Sequence, residues 1–237
     1  TKYREDDQIE KELVFEGDKL VSETRYTYNE NGKITFKENY EDGKLVSKTS
    51  YNYWENDQLY SIINHKTKTT SSGTSYSVLD GISTDWRKDG MKMREETWKD
   101  GTKIGYVYYL YYPSGQKEAK VNYKHIGSSD ILDGKFTGWF ENGQISFVEN
   151  YKDDELDGKQ TNWYENGQIK TEGNFKDNQL FGKQTQWYRN GQKEFEANFK
   201  NDKEYDDGKV TMWYANGQIK AMAKYKNGEC ISGDCPD

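Results

Sequence analysis

The sequence predicts an all-β chain: an elongated single-sheet ribbon or solenoid of about nine stacked antiparallel β-hairpins, with no substantial helix. Three observations predict it. A turn-centred block recurs nine times along 237 residues. Side chains on either side of the turns alternate with period two, the signature of a strand with one buried face. The apolar content lies in rings, with 20 Tyr, 7 Trp and 9 Phe, while Leu, Ile, Val and Phe together make up only about 16% of the chain, near the level of disordered sequences. Disordered chains are poor in aromatics, so a conventional aliphatic core and disorder are both disfavoured.

The repeat is aligned on its turn residue: Asp7, Gly32, Asp57, Gly90, Gly115, Gly143, Gly167, Gly191 and Gly217. Four residues earlier stand Tyr3, Tyr28, Tyr53, Trp86, Tyr111, Trp139, Trp163, Trp187 and Trp213. Eight residues later stand Phe15, Tyr40, His65, Trp98, Tyr123, Tyr151, Phe175, Phe199 and Tyr225. Both columns read as core, because a hairpin buries its rings only against stacked neighbours.

Within each copy the incoming strand ends on the aromatic column. The turn reads as a three-residue loop, a type I turn closed by one left-handed residue. Pro113 in Tyr112-Pro113-Ser114-Gly115 suits the first loop position, and Asp replaces Gly at positions 7 and 57, where one residue needs positive φ. In that register Trp163 faces Ile169 and Thr161 faces Thr171. The outgoing strand follows, with Ile169, Thr171, Gly173 and Phe175 on one face and Lys170, Glu172, Asn174 and Lys176 on the other. Leu79-Asp80-Gly81, Leu132-Asp133-Gly134 and Leu156-Asp157-Gly158 read as connections to the next hairpin. Nine hairpins would span roughly 85 Å at the usual strand spacing.

One continuous array is expected, in three parts: N-terminal hairpins over 1–63, a flexible Ser/Thr-rich insertion loop over 64–78 where the array bends, and C-terminal hairpins over 79–237. A smaller insertion, His125–Ile131, reads as a loop. Ile231-Ser232-Gly233 opens a tenth unit.

The motif Leu-Asp-Gly-Lys, Trp-Tyr-Glu-Asn-Gly-Gln-Ile-Lys, Asn-Tyr-Lys-Asp, best seen at Trp139–Asp154, Trp163–Asp177 and Trp213–Asn227, resembles the bacterial variant of the MORN (membrane occupation and recognition nexus) repeat, including the YwqK-like antitoxin group. The resemblance covers nearly the whole chain. It implies a hairpin ribbon with a non-catalytic binding role, as an antitoxin or immunity-type protein or a secreted or surface protein. In Asp7, Asp57 and the Tyr-for-Trp column, the N-terminal copies depart from it.

Chemistry is sparse. His65 falls in an aromatic column and reads as a packing residue; His125 has no cysteine nearby. The carboxylate pairs Asp6-Asp7, Asp153-Asp154 and Asp206-Asp207 fall at turns and read as solvated acids. Cys230 and Cys235 either close a small disulfide loop or are incidental thiols. No enzyme is expected, and no cofactor or metal. A second aromatic row, Tyr112, Phe140, Tyr164, Tyr188 and Tyr214, with Trp54 in an earlier copy, falls opposite the core columns among Lys and Glu. It either covers strand backbones or forms an exposed partner-binding stripe, and those five residues are the candidate site.

The net charge of −7 and pI near 5.1 argue against nucleic acid. There is no apolar run long enough to span a membrane. A protein partner is expected, either a toxin or a host or neighbour surface protein. The alternative is a cell-wall or glycan ligand: choline- and glucan-binding modules resemble the chain in hairpin repetition, although their Trp-Tyr-Tyr and Gly-x-Met signatures are absent. The chain begins at Thr1 without Met and reads as trimmed. A bacterial secreted or surface setting is therefore favoured over a cytoplasmic one.

Overall fold

A computed structural model describes residues 1–200, 203–204 and 208–235. Among them every regular element is a β-strand, and every strand pair with an assigned register is antiparallel, for example Ile169–Lys176 with Gln179–Trp187. The chain divides into two compact units, Thr1–Val107 and Tyr108–Asp237, and the division falls inside the strand Thr102–Tyr111.

The first unit is a meander. Ile9–Glu16, Lys19–Tyr28, Ile34–Glu41, Lys44–Tyr53 and Leu59–Thr69 pair in succession. The stretch 64–78, expected as a flexible loop, is instead an ordered hairpin. Leu59–Thr69 runs on and pairs with Ser75–Leu79 from His65↔Leu79 to Thr69↔Ser75. Its tip, Thr70 to Thr74, closes with the same hydrogen bonds as the other three-residue loops. Ser and Thr suit a two-stranded extension because their hydroxyls bond across it, as Thr69 does with Ser75. His125–Ile131 is likewise a strand extension, with His125 opposite Asp130.

In the second unit the turns take the expected form. The Tyr164 N–H donates to the Gln168 carbonyl (2.8 Å), and the Gly167 N–H donates to the Tyr164 carbonyl (2.9 Å). In the first unit Asp7 and Asp57 carry the single positive φ of their loops, 63° in both. Trp163 does face Ile169, but a bulge between Asn162 and Trp163 shifts the rest of the register. Thr161 therefore pairs with Glu172, and Asn162 takes Thr171, correcting the expected Thr161–Thr171 pair.

The Leu-Asp-Gly segments are not the connecting turns. The chain reverses earlier, at two-residue turns such as Asp153 (φ 51°) and Asp154 (φ 68°). Glu155–Leu156 then pairs back, and Asp157-Gly158 forms a bulge before pairing resumes at Thr161↔Val148. Gly158 sits at φ 114° with the Asn150 Cβ only 3.4 Å from where its own Cβ would be. The positive φ is what favours glycine there.

Burial is uneven along the columns. Phe199 and Tyr225 are buried with Leu180, Ala197, Val210 and Ala223, packed by Phe175 and Phe195. In the first unit Phe15, of the same column, is exposed. The column four residues before the turn, expected as core, is half-buried from Tyr28 to Trp213, and Tyr3 is exposed. Thr137, Thr161, Thr185 and Thr211 are buried instead, on the face opposite Phe175 and Phe199. Long charged neighbours cover them. Glu196, which faces Thr185 and Thr211, binds Lys183 at 2.8 Å and Lys193 at 2.5 Å. Burial alone would raise its pKa, but the two ammonium groups hold it below the usual carboxylate range.

Candidate functional site

Among the five candidate aromatics, Phe140, Tyr164, Tyr188 and Tyr214 directly follow the bulged ends of their incoming strands, and Tyr112 follows the strand Thr102–Tyr111. Four of them, Tyr112, Phe140, Tyr164 and Tyr188, are half-buried. Three spend their hydroxyls on the following copy: Tyr112 donates to the Trp139 carbonyl, Tyr164 to that of Trp187 and Tyr188 to that of Trp213, each at 2.8 Å. Phe140 has no hydroxyl to give. Tyr214 alone of the five is exposed, at 50%. Three of the five thus form latches between copies.

In the first unit the latch runs in the opposite direction. Tyr28 and Tyr53, which hold the place of Trp163 in their copies, donate back to the carbonyls of Ile9 and Ile34. That reversal gives the Tyr28 and Tyr53 hydroxyls a use in this column.

A second latch was not foreseen. The turn asparagine accepts from the N–H two residues on, Asn166 Oδ1 from Gln168 and Asn190 Oδ1 from Gln192. Its amide donates to the next turn, from Asn142 to the Glu165 carbonyl, Asn166 to Arg189 and Asn190 to Ala215. At the other edge, Asp154 and Asn178 accept the N–H groups of Leu132 and Leu156. The Tyr and Asn side chains of the Trp-Tyr-x-Asn-Gly-Gln motif are therefore used in stacking one hairpin on the next. Replacing Tyr164 or Tyr188 by Phe should each cost about 1 kcal/mol, the net worth of one hydrogen bond, and Tyr214→Phe nothing; urea denaturation of the three variants checks this.

The His65 ring is half-buried and its Nδ1 has no partner among the described residues; burial, then Lys48, holds it below the usual histidine range. His125 Nδ1 lies 2.6 Å from Asp130. Asp6-Asp7 and Asp153-Asp154 lie at turns, and Asp206-Asp207 lies outside the described residues. Among the described residues no three His, Cys, Asp or Glu side chains converge as metal ligands, and no helix is long and apolar enough to cross a membrane. Cys230 and Cys235 form a disulfide.

What the motif leaves available is a second stripe. The cross-strand pairs Trp139–Ile145, Trp163–Ile169, Trp187–Lys193 and Trp213–Ile219 line the three-residue-loop side of the second unit. All four Trp are half-buried, while Ile145 and Ile219 are 40% and 53% exposed. Lys117 and Lys193 lie over the rings of Trp139 and Trp213. A cavity of about 380 Å³ opens beside Trp213, lined also by Gln184, Gln186, Tyr188, Phe195 and Met212. This stripe was legible as a column, but its half-exposure was not.

The profile of the family described as MORN repeat variant matches residues 24–42, 34–53, 107–125, 132–153, 156–177, 182–201 and 206–227, more than half of the chain. No curated protein sequence matches. Among solved structures, the crystal structure of TcdB2-TccC3 matches with a TM-score of 0.30 at 10% identity, over 94% of this chain and 16% of that one. The Photorhabdus luminescens Tc holotoxin pore matches with a TM-score of 0.26 at 10% identity, over 92% and 15%. A Bacteroides fragilis protein of unknown function matches with a TM-score of 0.11 at 11% identity, over 81% and 92%. The chain spans less than a fifth of the toxin-complex chains it matches, and scores this low carry no argument about function.

Proposed function

The chain belongs to the MORN repeat variant family, and on that premise we propose that it is a repeat scaffold that binds another protein through the Trp–Ile stripe of its second unit. The observation that carries this reading is the division of labour among the aromatics. The Tyr row is spent on latches, whereas Trp139, Trp163, Trp187 and Trp213 keep part of their rings in solvent beside exposed Ile145 and Ile219. Half-exposed Trp flanked by aliphatics and Lys is the composition of an interface hot spot. The cavity beside Trp213 has room for one anchoring side chain of the partner. The partner class is a toxin neutralised by the scaffold or a surface protein of a neighbouring or host cell. An oxidising compartment is the setting, supported by the Cys230–Cys235 disulfide, which a reducing cytosol would open.

The test is site-specific photo-crosslinking in the producing cells, followed by reconstitution with the purified partner. A photoreactive residue at Ile145 or Ile219 should capture one protein. The same residue at Lys159, on the opposite face, should not. The triple variant Ile145→Glu, Ile169→Glu, Ile219→Glu should keep its circular dichroism spectrum and bind that protein at least about tenfold more weakly, equivalent to 1.4 kcal/mol. Capture from Lys159 alone, or undiminished binding by the triple variant, would reject the stripe.

A further inference from the structure

Three polar side chains of the second unit have no partner. Gln184 and Gln186 stand on the strand Gln179–Trp187, and Glu194 on the strand Lys193–Lys200. All three are half-buried, yet none makes a hydrogen bond or an ion pair among the described residues. One copy earlier the positions of the two glutamines are satisfied. There Gln160 donates to Glu149 Oε1 at 2.7 Å, and Asn162 donates to Thr171 Oγ1 at 2.9 Å. Gly173 takes the place of Glu149 beside Gln184, and Phe195 takes the place of Thr171 opposite Gln186. The partners are gone and the amides remain, which costs stability unless something else bonds them.

These three side chains line the cavity of about 380 Å³ beside Trp213. It lies between two hairpins, Gln179–Trp187 with Lys193–Lys200 and Gly208–Trp213 with Ile219–Lys226. Phe195, Trp213 and Tyr188 give it an aromatic wall, and the Tyr188 hydroxyl is already spent on the Trp213 carbonyl. Lys220 also lines it, exposed and with no ion pair among the described residues.

We propose that this cavity binds one pyranose ring of a saccharide. The lining selects that chemistry. A cationic ligand would meet Lys220, and also Lys193, which lies over the Trp213 ring at 5.7 Å. An anionic ligand would meet Glu194. An apolar group would take water from Gln184, Gln186 and Glu194 and return no hydrogen bond. A neutral ring of hydroxyls answers all of them, because a hydroxyl both donates and accepts. It donates to Glu194, accepts from Lys220 and does either with the two amides, while its C–H face rests on the aromatic wall. An apolar wall with a few convergent polar groups is the usual build of a small-molecule site. Where the Trp–Ile stripe holds a protein, the side chain that anchors at this end carries the sugar. The cavity takes the ring by itself, whether or not the stripe binds.

The experiment records ¹H–¹⁵N spectra of the full chain, with the Trp213 indole N–H assigned through Trp213→Phe. Methyl glycosides of glucose, galactose, mannose and N-acetylglucosamine are titrated separately. At least one should shift the Trp213 signal and saturate in the millimolar range. Gln184→Ala, Gln186→Ala and Glu194→Ala should each weaken that sugar about fivefold, the value of one hydrogen bond. Glu194→Gln, which keeps the side-chain shape, serves if an alanine variant loses its circular dichroism spectrum. Ile145→Glu should leave the sugar affinity unchanged even where it weakens a protein partner, so the site and the stripe fail separately. A glycopeptide and a cell-wall glycan fragment bearing the sugar that binds are then compared, and the tighter of the two identifies the carrier. No shift with any of the four sugars overturns the site, and undiminished binding by the folded variants does the same. A shift with N-acetyl-leucine amide or N-acetyl-arginine amide, and none with the sugars, assigns the cavity to an unmodified side chain and overturns the saccharide.

Discussion

Replacing Phe199 by Ala is expected to destabilise the second unit by about 3–5 kcal/mol, the range for emptying a buried phenylalanine site. Phe199 is 7% exposed among Leu180, Ala197, Val210, Ala223 and Tyr225. Ala197 and Ala223 are too short to close over the void, and Val210 is held in its strand. Marginal stability of about 5–15 kcal/mol makes this a large fraction of the whole. The same column supplies internal controls. Phe175 is only half-buried, so Phe175→Ala should cost less than half as much; Phe15 is 55% exposed, and Phe15→Ala should change stability by under about 0.5 kcal/mol. Urea midpoints for the three variants, at unchanged slope, give the series. Equal losses at all three positions would mean that sequence column rather than burial sets the energy.

That gradient marks the limit of what the sequence discloses. The repeat, the all-β class and the three-residue loop were legible because each rests on local chemistry. Pro113 can occupy only certain turn positions, and Asp7 and Asp57 can take the place of glycine only where a single residue has positive φ. Which ring is buried is a different question. It depends on the neighbouring copies, and period two says only which face a residue joins. The Trp column and the Tyr row were assigned to core and surface by face alone. For Tyr112, Tyr164 and Tyr188 a hydroxyl bonded to a carbonyl of the next copy favours the backbone-covering one of the two readings that the sequence leaves open. The Asn142, Asn166 and Asn190 amides escaped notice because Asn-Gly already has a sufficient local reason in the turn, which hides its second, inter-hairpin bond. The expected register puts Thr161 opposite Thr171 on the ring-bearing face; the bulge before Trp163 turns it to the other face, where the lysine and glutamate stems that cover Thr161 and Thr185 become visible only once strands are paired. At 64–78 the low apolar content suggested a loop, although a two-stranded extension needs only backbone pairing and short polar side chains.

Gly138→Ala should show the opposite dependence, a cost that comes from a single neighbour. Gly138 is buried between Ala119 and Phe147 on the adjacent strands. Its φ lies outside the positive region, so the backbone itself accepts alanine. A Cβ there would lie 2.2 Å from Phe147 Cε1 and 2.7 Å from Cδ1, well inside contact distance. The ring has little freedom to yield, since it packs edge-on against Phe136 at 4.9 Å between centroids. Overpacking of this kind costs about 1–3 kcal/mol. Removing glycine from a position that alanine can occupy otherwise gains about 0.4–1 kcal/mol by restricting the unfolded chain. In a Phe147→Ala background the clash disappears, so Gly138→Ala should become stabilising by that smaller amount. The double-mutant cycle should therefore return a coupling of about 1.4–4 kcal/mol between two residues on neighbouring strands. Corresponding positions in later copies carry Asn162, Gln186 and Met212, so glycine is not a requirement of the repeat. A cost that persists unchanged without Phe147 would place the constraint in the backbone at 138 and refute the steric account.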